Sequence, residues 1–117
     1  MSTVSFSVII TAHNHRAYIA EAVESALRQT YSARDIIVVD DASTDGMQDL
    51  LDRYGDSITP VFLASNHGGS AAHNAGARIA RGEYLIFLDG DDVLLPWTFE
   101  VYRRIILAEN RPALLLA

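Results

Sequence analysis

Apolar and polar positions change period several times along the chain. Residues 5–11 (SFSVIIT) are rich in β-branched and aromatic side chains and predict a strand. From Tyr18 the spacing turns helical. Ile19, Ala22, Val23, Ala26 and Leu27 fall at i, i+3, i+4, i+7 and i+8, one face of a helix ending near Thr30. Residues 35–39 predict a second, buried strand. Met47, Leu50, Leu51 and Tyr54 then repeat the helical spacing, with Ser43, Thr44 or Asp45 available as N-cap. A third strand is expected over residues 58–64, weakened at its start by Pro60. Ala72, Ala75, Gly76 and Ile79 make a small-residue helical face that can pack close to a sheet. Residues 83–88 predict a fourth strand, and Pro96 fits the first turn of a helix carrying Phe99, Tyr102 and Ile106. Residues 113–117 read as a strand that stops as it starts.

Strands alternating with helices imply an α/β fold with a mostly parallel open sheet flanked by helices. Its strands should be near-continuous apolar runs, as DIIVV and YLIFL are. No internal repeat or interior linker divides residues 1–117, so a single domain is expected. The abrupt end suggests a fragment of a longer protein. Its last strand would leave an uncovered edge, and self-association is expected from it.

At 117 residues, half of them hydrophobic, the chain can bury a real core. No run approaches the ~20 apolar residues of a membrane span, and no basic segment precedes the first apolar run, so neither a span nor a signal peptide is expected. The absence of cysteine removes disulfides and thiolate zinc sites and is compatible with a reducing cytosol. The net charge of −6 argues against nucleic acid as partner. All nine basic residues are arginine, which removes mechanisms needing a Schiff-base or P-loop lysine.

The acids are more informative than the total. Six of the fifteen fall in two clusters, Asp40-Asp41-Asp45 and Asp89-Asp91-Asp92. In YLIFLDGDDVLLP (residues 84–96) an apolar strand runs straight into three carboxylates. At roughly 5 Å and an effective dielectric of about 20, each like-charged pair costs about 3 kcal/mol. A divalent cation with oxygen ligands would offset that cost. A solvated acidic turn is the plainer alternative. Every polar cluster, however, follows a strand: Thr11, His13 and Asn14 the first, Asp40 to Asp45 the second, Ser65 to Gly69 the third and Asp89 to Asp92 the fourth. All should lie along the carboxyl edge of the sheet, where open α/β folds bind ligands. The first loop has no glycine, against a dinucleotide fingerprint. The Asp-x-Asp after an apolar strand also fits the nucleophile motif of haloacid-dehalogenase-like phosphatases. That motif normally opens its domain, whereas three βα units precede it here.

Three blocks in order, SVIITAHNHRAYIAEAVESALRQTY, IIVVDDASTDG and NHGGSAAHNAGARIARGEYLIFLDGDD, resemble the N-terminal half of family 2 glycosyltransferases over residues 4 to about 100. The resemblance implies the Rossmann-like GT-A nucleotide-diphospho-sugar transferase fold, truncated here. It also implies an inverting transferase taking a nucleotide-sugar donor, often a UDP-sugar, with Mn²⁺ or Mg²⁺, in polysaccharide or cell-wall glycan synthesis. Thr11, His13 and Asn14 would then line the nucleoside pocket. Asp41 would accept from the base, with Asp40 supporting its loop. Asp89 would lie near the ribose or the metal, and Asp91 would bind the metal directly. His13 stands where the family usually has tyrosine, and His73, which the resemblance also places among the donor-binding residues, stands where an arginine commonly precedes Asn74. His73 also reads as a helix residue facing the sheet, His15 and His67 as surface loop residues, Arg78 and Arg81 as solvated helix-end charges, and Trp97 and Phe99 as core or capping residues. The catalytic base would lie beyond Ala117, so the isolated chain is expected to be inactive. A nucleotide-binding module without transfer activity is the alternative. The resemblance implies a cytoplasmic location, with the longer protein able to lie at the inner membrane surface.

Overall fold

A computed structural model describes residues 4–66 and 68–109. Strands β1 (Phe6–Ala12), β2 (Asp35–Asp40), β3 (Thr59–Phe62) and β4 (Tyr84–Asp89) alternate with helices α1 (Ile19–Leu27), α2 (Met47–Asp52), α3 (Gly69–Ile79) and α4 (Thr98–Ala108). Every strand pairing is parallel, in the spatial order β3-β2-β1-β4. The open parallel α/β sheet expected from the alternation is present. No helix among the described residues is long and apolar enough to cross a membrane. The strand expected over residues 113–117, and with it the edge expected to self-associate, lies outside the described residues.

β1 is the centre of the sheet, and all seven of its residues are buried. Alternation sends Phe6, Val8, Ile10 and Ala12 to one face, into a core completed by Ile36 and Val38 of β2, Val23 of α1, Met47 and Leu51 of α2, and Phe99 and Ile106 of α4. Phe6 stacks on Phe99 at 5.2 Å between ring centroids. Fully burying a side chain of that size contributes about 1.5–3 kcal/mol. Ile9, Ile37 and Val39 point the other way, against Ala72 of α3. That helix approaches closely because Gly76 has no side chain. A Cβ there would lie 2.5 Å from Ile9 Cγ2 and 3.3 Å from Val39 Cγ2.

Ser7, buried near the start of this apolar strand, has its polar atom satisfied. It donates to the Asp35 carboxylate and accepts from the Gly82 N–H at 2.7 Å. At the edges burial falls off. β3 is exposed or half-buried throughout, and on β4 Leu85 and Phe87 are 40% and 47% exposed.

Element boundaries differ from expectation where a tertiary partner intervenes. β3 stops at Phe62 because β2 ends at Asp40, its last partner, whose carbonyl then takes the Leu63 N–H at 2.9 Å. Pro60 sits within this edge strand, where a missing N–H is tolerated. α1 ends at Leu27 rather than near Thr30, whose N–H is drawn to the Pro96 carbonyl at 2.9 Å. Pro96 accordingly lies outside α4, which begins at Thr98. The N-cap of α2 is Gly46 at φ 84, with Asp45 Oδ1 accepting from Met47 N at 3.3 Å.

Gly76→Ala should lower stability by about 1–2 kcal/mol. The collision with Ile9 outweighs the ~1 kcal/mol gained in helix propensity, and urea denaturation reads the difference.

Tyr54, just past α2, reaches Glu24 of α1, its hydroxyl 3.5 Å from Oε2. Burial, and then the adjacent carboxylate, push its phenol above the ordinary value of 10.0. The folded state therefore holds this proton more tightly than the unfolded chain. The associated stability is complete below the unfolded pKa and is lost as pH rises through the folded one. Tyr54→Phe should flatten the alkaline limb of stability against pH, measured by denaturation at pH 8 to 11.

Candidate functional site

Register brings the site together. Thr11 of β1 stands opposite Val39 and Asp89, and Ala12 stands opposite Asp40. The ladder runs one bond further on each side: Asp41 N donates to Ala12 O and Gly90 N to Thr11 O, both at 2.8 Å. The loops after β1, β2 and β4 therefore leave the sheet side by side.

The first two loops are knitted by side chains. Asn14, at φ 56, receives the Thr44 N–H on Oδ1 and donates its own N–H to Ser43 Oγ, both at 2.8 Å. Arg16 N donates to Asp45 Oδ2 at 2.9 Å, and Arg16 Nη1 to the Gly46 carbonyl at 2.6 Å. Asp40, 1% exposed, folds its own loop by accepting Ser43 N at 3.0 Å. That turn carries Ala42 at φ 59, a left-handed conformation costing a non-glycine residue about 1–2 kcal/mol. Strain of this kind persists only where surrounding bonds over-determine it, as they do here.

His13 Nδ1 lies 2.7 Å from the Asp41 carbonyl oxygen. A carbonyl can only accept, so Nδ1 carries the proton and Nε2 keeps its lone pair, 3.4 Å from Asn14 Nδ2. The Asp41 carboxylate accepts the Gly68 N–H at 3.2 Å, which ties the start of α3 to the same place.

On the other side of β1, ligand atoms of Asp89, Asp91 and Asp92 lie within 4.8 Å of one another, all on exposed residues. Asp92 N donates to Asp89 O at 3.0 Å, closing the turn. Gly90 is needed there, because a Cβ would sit 2.8 Å from both Ala12 Cβ and His15 Nδ1. The segment that follows is pinned to α1. Ser25 Oγ accepts Leu94 N at 3.0 Å, and Gln29 Nε2 donates to Leu95 O at 2.6 Å. Gln29 Oε1 also accepts Phe99 N at 3.0 Å, capping α4 from the segment just past α1, where the N-cap residue, Trp97, offers no side-chain acceptor.

Thr11, His13, His15, Asp41, Asp89 and Asp91 line one open cleft of about 350 Å³. Asn14 and Asp40 stand behind it as supports of the loops. His73 does not line it; its ring packs on Phe87 at 4.7 Å, at the β4 edge. Phe99 is core, whereas Trp97 is 54% exposed at the head of α4. Arg81 belongs to the opposite edge of the sheet, where its N–H meets Asp35 at 3.0 Å. His67 lies outside the described residues.

His15, expected as a surface loop residue, lies in the loop after β1 and also lines the cleft, with Nε2 4.0 Å from Asp91 Oδ2. Nothing in the periodicity pointed to it, nor to Ser25 and Gln29, because their partners are distant in sequence. The donor set suits a hard divalent cation: carboxylate oxygens that repel one another, exposed and converging, with room for ligands from a bound molecule.

The model of glycosyl transferase family 2 matches residues 7–110, and the chain belongs to that family. Its sheet and flanking helices are those of the Rossmann-like GT-A fold, which sets aside the phosphatase alternative. The UDP-Glc:alpha-D-GlcNAc-diphosphoundecaprenol beta-1,3-glucosyltransferase WfaP of Escherichia coli is 42% identical over 88 residues, covering 74% of this chain and 35% of that one. S. aureus TarS 1-349, in complex with UDP-GlcNAc, matches with a TM-score of 0.83 at 28% identity, over 92% of this chain and 32% of that one. The mannosyltransferase PcManGT from Pyrobaculum calidifontis, in complex with GDP-Man and Mn²⁺, matches with a TM-score of 0.77 at 25% identity, over 90% and 32%. The chain spans about a third of the length of the curated relatives it matches.

Gln29→Leu should lower stability by about 2 kcal/mol or more, since it strands the Leu95 carbonyl and the Phe99 N–H. Urea denaturation reads the loss, and amide exchange at Phe99 should accelerate ahead of exchange in β1.

Proposed function

We propose that this chain binds the nucleotide-sugar donor of a glycosyltransferase, with a divalent cation, Mn²⁺ or Mg²⁺, between the donor diphosphate and the Asp89–Asp91–Asp92 turn. The observation that carries this reading is convergence: in a chain of this family, the acidic turn shares one cleft with Asp41 and the fixed ring of His13. The base would lie on the His13 side, with Asp41 accepting from it and Thr11 at the floor. The diphosphate would lie across β1, toward Asp89 and Asp91.

The chemistry follows from the leaving group. When the bond to the anomeric carbon breaks, charge develops on the diphosphate, and a cation held by Asp89 and Asp91 would stabilise it. Asp91 would be the direct ligand, and Asp89 would bind the metal or its water. An acceptor hydroxyl attacking opposite the diphosphate inverts the configuration, which is the stereochemistry we assign. Uracil is the proposed base, since WfaP is named for UDP-Glc and the TarS structure holds UDP-GlcNAc. The acceptor of WfaP, a sugar-diphosphoundecaprenol, supports a polysaccharide or cell-wall glycan as the product class.

Calorimetry tests the reading. Mn²⁺ alone and UDP alone should each bind weakly, and the two together much more tightly, because the diphosphate supplies ligands the carboxylates leave open. Asp91→Asn should abolish most of that gain. Asp41→Ala should weaken UDP and blunt its preference over GDP while leaving the metal's need for diphosphate intact. Equal binding of the pair by Asp91→Asn and the parent would reduce the acidic turn to a solvated loop.

A further inference from the structure

The His15 ring is built into the cleft in an unusual way. Its backbone carbonyl starts α1, accepting the N–H groups of Tyr18 at 2.9 Å and Ile19 at 2.8 Å, so the residue cannot swing away without disturbing the helix. Nδ1 is buried and has no hydrogen-bond partner among the described residues. It faces Gly90, close enough that a Cβ there would lie 2.8 Å away. Nε2 faces the other way, into the cleft, 4.0 Å from Asp91 Oδ2.

These contacts decide the tautomer. An N–H at Nδ1 would be a buried donor pressed against carbon, and orphaned buried N–H groups are rarely tolerated. The proton of the neutral ring therefore belongs on Nε2, the one nitrogen that water and a carboxylate can reach. We propose that His15 is a positioning residue for the cation site: its Nε2–H holds one oxygen of Asp91 and leaves the other turned toward the metal. The Asp91 side chain is 50% exposed and free to rotate across the remaining gap once a cation draws the turn together. Hydrogen bonds of this sort are commonly long before the ligand arrives. Partners behind a metal-binding group typically matter 10–100-fold in affinity. Gly90 belongs to the same device, since any larger residue would displace the ring from behind the turn.

The inference rests on the proposed cation site, and the test separates the two. Mn²⁺ binding to the purified protein in the presence of UDP is followed by electron paramagnetic resonance for the parent, His15→Ala and His15→Gln. Alanine should weaken Mn²⁺ about tenfold. Glutamine, whose amide N–H reaches about as far as the imidazole Nε2, should restore most of the loss. The urea midpoint measured without metal or UDP should match the parent in both, which a collapsed cleft would not allow. Pulsed measurements should show no nitrogen coupling from the protein to bound Mn²⁺. Unchanged affinity in alanine, failure of glutamine to rescue, or a nitrogen coupling lost in His15→Ala would each overturn the proposal. Should alanine unfold, His15→Leu takes its place against glutamine, with the same expectations. A parent that binds no Mn²⁺ with UDP overturns the site itself, and this role with it.

Discussion

The site depends on the parallel pairing of β1 with both β2 and β4. One strand presents its carboxyl end between two neighbours at a spacing of about 4.8 Å each. Asp40 and Asp89 are thus set on either side of the same backbone. A slip of one residue in either pairing would turn each apolar strand residue to the opposite face. The hydrophobic core therefore enforces the geometry of the polar edge. Phe6, Val8 and Ile10 belong against α1 and α4, Ile9 belongs against α3, and the register that satisfies both also aligns the loops.

The two sides of the cleft are held by different means. On the β2 side the carboxylates also hold structure: Asp40 closes its own turn, and Asp41 gathers the start of α3. That side is a rigid bracket, with Asn14 and Arg16 bridging from the first loop. On the β4 side the backbone is fixed by Gly90 and Gln29, while the three carboxylates remain exposed and mutually repelling. Rigid backbone with frustrated charge suits an ion that comes and goes with its ligand. A rigid bracket suits recognition of a planar base.

Much of the fold was legible in the sequence. Period-two and period-3.6 patterns carry information about neighbours within one element, and the four strands and four helices appear in the described residues where those patterns place them. Boundaries were less legible, because an element stops when its partner does. β3 ends where β2 ends, and α1 gives up Thr30 to the carbonyl of Pro96.

For the site the division is similar. Strand-end position alone assigned Thr11, His13, Asp41, Asp89 and Asp91 to one edge, since every strand of a parallel sheet points the same way. The sequence by itself thus determined the class of fold, the edge that carries the chemistry and the acidic turn. Tertiary structure alone decided which polar side chains reach the cleft. It turned His15 inward beside Gly90 and left His73 on Phe87. It also made Gln29 the cap of a helix some seventy residues away in the chain. Those choices depend on distances between loops that meet only after the sheet has formed, and no local periodicity encodes them.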